Sequence, residues 1–181
     1  FFAPAVPDPS PDIAVSAPAS TEEALAWFTA ERAGLLAAIA QAAGAGRAAH
    51  AWQLAWALST FLLRRGLWAD HAMACQAGLD ASRKAGDVAG EAHCLLLLGL
   101  GYARSGRHPD ALPLLRDALR LLEETDGYGR TRVYAHSSLT WIAELDRADL
   151  MFELYKTKAD PSIRLWSQTG QNPRSRGGRQ G

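Results

Sequence analysis

The sequence predicts an all-α fold of about three to four helix hairpins. Three observations lead there. Alanine and leucine abound while valine, isoleucine and threonine are sparse, which favours helix over sheet. Two stretches, "AWALSTFLLRRGLWADHAMACQAGL" from Ala55 and "LLLLGLGYARSGRHPDALPLLRDAL" from Leu95, match at a shift of forty residues: Leu58 falls on Leu98, Arg64 on Arg104, Gly66 on Gly106 and Leu79 on Leu119. In both, a glycine separates two segments of helical apolar spacing, as a tight turn between paired helices requires.

The elements follow in order. Residues 1–20 hold Pro4, Pro7, Pro9, Pro11 and Pro18 and read as an extended linker, since proline lacks an N–H and restrains its predecessor. Helix begins at Ser20 or Thr21, either able to cap, with Glu22 and Glu23 where the N-terminal dipole favours anions. From Ala24 to Ala43 the apolar residues Leu25, Phe28, Leu35, Leu36 and Ile39 recur at helical spacing. Gly34 is expected to break this stretch into two helices, closed by "GAGR" at residues 44–47. A unit near Trp52 turns at Gly66, and the next turns at Gly106 with Pro109 opening its second helix. A third begins near Val133, carries Leu139 and Ile142, and is expected to turn near Arg147. A short helix is expected before Pro161. Repeats thus occupy residues 21–157, and residues 158–181, ending "SQTGQNPRSRGGRQG", are expected to be disordered.

Gly99 lies mid-helix, where it costs about 1 kcal/mol against alanine. It therefore predicts a close approach by a neighbouring helix. Trp27, Trp52, Trp56 and Trp68 are read as large side chains between stacked helices.

Residues 92–125 resemble the tetratricopeptide repeat, and that resemblance implies a solenoid whose hairpins stack into a right-handed superhelix. Leu95, Leu98-Gly99, Tyr102, Gly106, Ala111, Leu115 and Ala118 stand at that repeat's places, while Glu123 replaces its usual proline. The earlier unit fits at Leu58, Leu62, Gly66, Cys75 and Gly78 but has Ser59 and His71 where small residues are usual. Together with "ALAWFTAERAGLLAAI" and "AWQLAWALSTFLLRRGLW", the texture over Thr21–Arg147 resembles the repeat region of actinobacterial AfsR/SARP-type regulators, signal-transduction ATPases with numerous domains. That resemblance implies a cytoplasmic regulatory arm controlling antibiotic genes. It also implies that the chain is a fragment, with ATP or ADP bound in a separate upstream domain and a DNA-binding region before it.

Charge and motifs narrow the chemistry. Nineteen basic residues balance nineteen acidic ones, whereas a duplex-binding domain shows a basic excess. The Arg-rich tail (Arg164, Arg174, Arg176, Arg179) reads as solvated. Two cysteines make no disulfide framework and fit a reducing compartment. The apolar run Cys94–Leu98 is far too short to span a membrane. No Gly-rich phosphate loop is present, and "GLGY" falls inside a helix. His71 and Cys75, four apart, have metal-ligand spacing, with His93 or Cys94 as conceivable further donors, but Cys75 takes a core position. No cofactor, metal or catalytic residue is assigned, and no enzyme activity is expected.

What remains is the inner face that tetratricopeptide arrays use for partners. The resemblance carries it onto Gln53, Trp56, Thr60, Leu63 and Arg64, then His93, Leu96, Leu100, Ala103 and Arg104, then Tyr134, Ser137, Trp141 and Glu144. Arg64 and Arg104 are either solvated helix ends or a pair stacked to hold a carboxylate. The expected partner is a protein or peptide, including the protein's own upstream domains. The alternative is a free-standing adaptor that docks a peptide or partner helix.

Overall fold

The computed structural model describes residues 17–124 and 129–158, and only the backbone of residues 129, 130, 146 and 148–158. Six helices follow one another: α1 (Thr21–Gly44), α2 (Ala48–Arg64), α3 (Trp68–Ala85), α4 (Val88–Arg104), α5 (His108–Glu123) and α6 (Gly129–Lys158). No strand occurs among the described residues, so the protein is all-α there. By packing the chain divides after Ile142, and the second unit is described as the rest of α6, to Lys158.

The start of the fold is set by Ser20, whose Oγ accepts the Glu23 N–H at 3.1 Å while the Glu23 carboxylate accepts the Ala19 N–H at 2.6 Å. The side chain and carboxylate each satisfy an amide that the helix itself cannot. Helices α2 to α5 then begin at residues 48, 68, 88 and 108, one every twenty residues. The same turn produces each. Gly46, Gly66, Gly86 and Gly106 all have φ between 68° and 79°, the left-handed region. At Gly106 the glycine N–H reaches Ala103 O at 3.1 Å and the Arg107 N–H reaches Tyr102 O at 2.8 Å, and the other three turns repeat this pair of bonds. The terminal carbonyls of one helix are thereby satisfied while the chain reverses.

Each of α1 to α4 packs on the helix that follows it, and α1 with α3 and α2 with α4 pack as well. The main core gathers Leu95–Leu98 of α4 with Cys75, Leu79, Leu115, Ala118, Leu122, Ala135 and Ile142, and Trp52 closes one end. A second cluster joins Ile39, Leu58, Phe61 and Leu62, with Phe28, Leu35 and Leu36 against it. As its glycine predicts, α4 passes close to α5: a Cβ on Gly99 would meet the Leu115 side chain.

Two sequence expectations are corrected. Gly34 does not divide α1, which is continuous from Thr21 to Gly44. Gly34 is exposed, keeps helical geometry and sits among alanines and leucines, so it weakens the helix without ending it. No turn falls near Arg147, and no separate helix starts after it, because α6 runs unbroken to Lys158. "DRAD" contains no glycine to take up the left-handed conformation the other turns use. The third unit, placed near Val133, lies four residues into α6, the same offset at which the units near Trp52 and at residue 92 lie in α2 and α4. The disordered-tail expectation for 158–181 lies, beyond Lys158, outside the described residues, as does the linker before residue 17.

Two tryptophans also differ from expectation. Trp52 is buried and Trp56 half-buried, but Trp27 is 51% and Trp68 38% exposed. Trp27 stands edge-on to Phe28, 5.1 Å between ring centroids.

Candidate functional site

Five of the residues assigned to the inner face line one pocket. Leu100 and Arg104 of α4, Tyr134, Ser137, Ser138 and Trp141 of α6, and Trp68 at the start of α3 enclose about 580 Å³. The reversal at Gly66 delivers Trp68 to this place, since α3 begins two residues beyond the left-handed glycine. Trp141 is 43% exposed and its ring meets His108 edge-on, 6.5 Å between centroids. The wall is mostly apolar.

Arg104 supplies the pocket's charge. It is exposed, and among the described residues no carboxylate or hydrogen-bond partner holds it. Ser137 and Ser138 do not compete, because their hydroxyls donate to Val133 O at 2.9 Å and Tyr134 O at 2.8 Å. Within reach of the Arg104 charge, His71 is 1% exposed, and a Cβ on Gly101 would lie 2.6 Å from its Nδ1. Burial first, and the Arg104 charge second, push its pKa down to about 4. His71 is thus neutral near pH 7, and Arg104 is the cation at this end of α4.

The other assigned positions are dispersed. Leu63, His93, Leu96 and Ala103 are buried and form wall rather than surface. His93, Leu96 and Ala103 are interior because α4 is surrounded by α2, α3 and α5, so its partner-facing side is already occupied. Gln53, Trp56 and Thr60 are half-buried on α2, and among the described residues the buried Trp56 indole N–H has no hydrogen-bond partner. Arg64 lines a separate, more polar pocket of about 390 Å³ with Thr29, Arg32, Phe61, Arg65 and Leu67. Arg64 and Arg104 therefore share a sequence register and not a pocket. Glu144 is exposed, in the second unit. Trp68 and Ser138 were missed as lining residues. The signal for Trp68 lay in its place just past a turn glycine, where a large side chain overhangs the next helix.

Metal-ligand spacing at His71 and Cys75 leads to a different contact. Cys75 Sγ lies 3.7 Å from His71 Nε2 and 3.9 Å from Ser59 Oγ, in a fully buried place. Burial pushes the Cys75 thiol up to about 12 and the Cys94 thiol well above its ordinary value, so both are protonated near neutral pH. Among the described residues no three His, Cys, Asp or Glu side chains gather as a metal ion would need.

At the far end of α4, Asp87 ties two helices together. Its Oδ1 accepts the Gly90 N–H at 2.9 Å and its Oδ2 accepts the Trp52 indole N–H at 2.9 Å. Trp52 in turn stacks on His93 at 5.0 Å, and His93 Nδ1 donates to Ala89 O at 2.7 Å.

The chain matches no known protein family, no curated protein and no solved structure. Among the described residues no helix is long and apolar enough to cross a membrane.

Proposed function

We propose that this chain is a non-catalytic interaction and sensor module: the tetratricopeptide-type, superhelical repeat arm of a cytoplasmic transcriptional regulator of secondary-metabolite genes. The observation that carries the reading is the α4–α6 pocket, where partly exposed Trp68 and Trp141 stand with Arg104, which no described residue pairs. Exposed aromatics around one cation are what a binding surface needs and what a solvated helix face lacks. The forty-residue recurrence and the texture of residues 21–147 support the regulator assignment.

In this reading the arm holds upstream nucleotide-binding and DNA-binding parts inactive, and a signal that favours one of two states shifts the balance. The arm itself contacts protein rather than nucleic acid and carries no cofactor. The test is deletion of residues 21–157 from the full-length gene product, with transcription from its target promoter read without inducer. Output that changes constitutively is the expected result. Unchanged output rejects the autoinhibitory arm.

A further inference from the structure

We infer that the pocket between α4 and α6 binds a flat, apolar organic molecule bearing a single carboxylate, with Arg104 taking the charge and Trp68, Tyr134 and Trp141 taking the ring. Its biological role rests on the sensor reading above. Its physical basis is independent of that reading.

Charge decides the first half. The lining contains no Asp or Glu, and Arg104 has no partner among the described residues. A guanidinium presents a fork of N–H donors that matches a carboxylate. The nearby imidazole of His71 adds no second charge at neutral pH. One cation balances a monoanion. A phosphate dianion would bring a second negative charge that nothing in the lining meets.

Hydrogen bonding and size decide the rest. With the protons of Ser137 and Ser138 committed to their own helix, those hydroxyls turn only lone pairs to the pocket. Apart from the Arg104 guanidinium, the side-chain donors of the lining are carried on the rims of aromatic rings, whose faces an apolar ring can cover. A volume of about 580 Å³ admits a bicyclic ring. Two indoles and a phenol offer the broad faces on which such a ring stacks.

The experiment is calorimetric titration of the full 181-residue chain with 2-naphthoate and, separately, with the neutral naphthalene-2-carboxamide. The acid should bind one site with a Kd on the order of 0.1–1 mM, and the amide about tenfold more weakly. Arg104→Gln should remove that preference with the melting curve retained, while Arg116→Gln, on the exposed side of α5, should preserve it. Trp141→Leu should weaken acid and amide alike. The proposal is overturned by equal affinities for acid and amide, by an acid affinity that Arg104→Gln leaves intact, or by no binding of the folded chain. Binding of a peptide with adjacent Trp and Asp, but not of naphthoate, also overturns it and assigns the pocket to a protein partner. If naphthoate binds as stated while deletion of the arm leaves transcription unchanged, the site stands and the sensor reading falls.

Discussion

Gly99 and Leu115 share one volume: a Cβ on the glycine would lie 2.7 Å from Leu115 Cγ and 2.8 Å from its Cδ2. Forty residues earlier the same two places hold Ser59 and Cys75, with Oγ and Sγ 3.9 Å apart. One repeat pairs the smallest residue with a large one, and the other pairs two of middle size. Gly99→Leu should therefore destabilise by at least about 1–3 kcal/mol, because Leu115 is fully buried and cannot swing away. The melting temperature should fall by several degrees. Ser59→Ala should be nearly neutral and Ser59→Leu as damaging as the glycine change. In a double-mutant cycle, Gly99→Ser with Leu115→Cys should cost about 1 kcal/mol less than the two singles summed. A melting temperature at or above the parent's for Gly99→Leu would show that this interface is open.

Two other glycines should respond with opposite signs. Gly34 is helical and exposed, and an added Cβ would meet only the Glu31 carboxylate at 3.7 Å. Gly34→Ala should stabilise by about 0.5–1 kcal/mol through better helix propensity. Gly106 has open space around it but φ of 79°. There alanine gains no contact and takes on backbone strain, so Gly106→Ala should destabilise by about 1 kcal/mol. Chemical denaturation of both variants checks the contrast, and equal signs would contradict it.

Acid should weaken the fold through His71. Its folded pKa of about 4 lies below the ordinary 6.5, so folding favours the neutral ring. That contribution is whole above about pH 6.5 and is lost as pH falls toward 4, with a total on the order of 3 kcal/mol. His93, also lowered chiefly by burial, works in the same direction. Denaturation midpoints measured from pH 7 to pH 4 should fall steeply in the parent and less steeply in His71→Gln. Parallel slopes would remove His71 as the titrating group.

Asp87→Ala should cost about 2 kcal/mol. It takes the cap from α4 and the acceptor from the Trp52 indole. Asp87→Asn keeps one carbonyl oxygen and should recover about half. Thermal melts of the two variants separate the bonds from simple loss of charge, since a charge effect alone would make them equal.

Turn chemistry was the most legible part of the fold. Gly66 and Gly106 are readable because a left-handed residue has few substitutes, and Gly99 because a helix tolerates glycine inside only for a reason. Gly34 misled for the same cause: its helical φ and exposure cannot be told from a turn by residue type alone. His71 stood where a small residue is usual, and the space for it comes from Gly101, thirty residues away on the next helix. Such trades are invisible to a reading along one strand of sequence. The inner-face positions were legible as one side of each helix, but burial of His93 and Leu96 depends on how many neighbours surround α4, which local spacing does not encode.

The even helix spacing constrains how this chain can change length. Ser59 and Gly99 lie on α2 and α4, while their counterparts Cys75 and Leu115 lie on α3 and α5, so the two complementary faces alternate along the chain. Excising twenty residues would bring like faces together, knob against knob. Excising or duplicating forty among α2 to α5 restores knob to socket, with the same glycine turn at the new joint. Growth and loss in such a molecule are quantised in helix pairs, and a lineage of these chains would differ by whole pairs while the turns between them stayed the same.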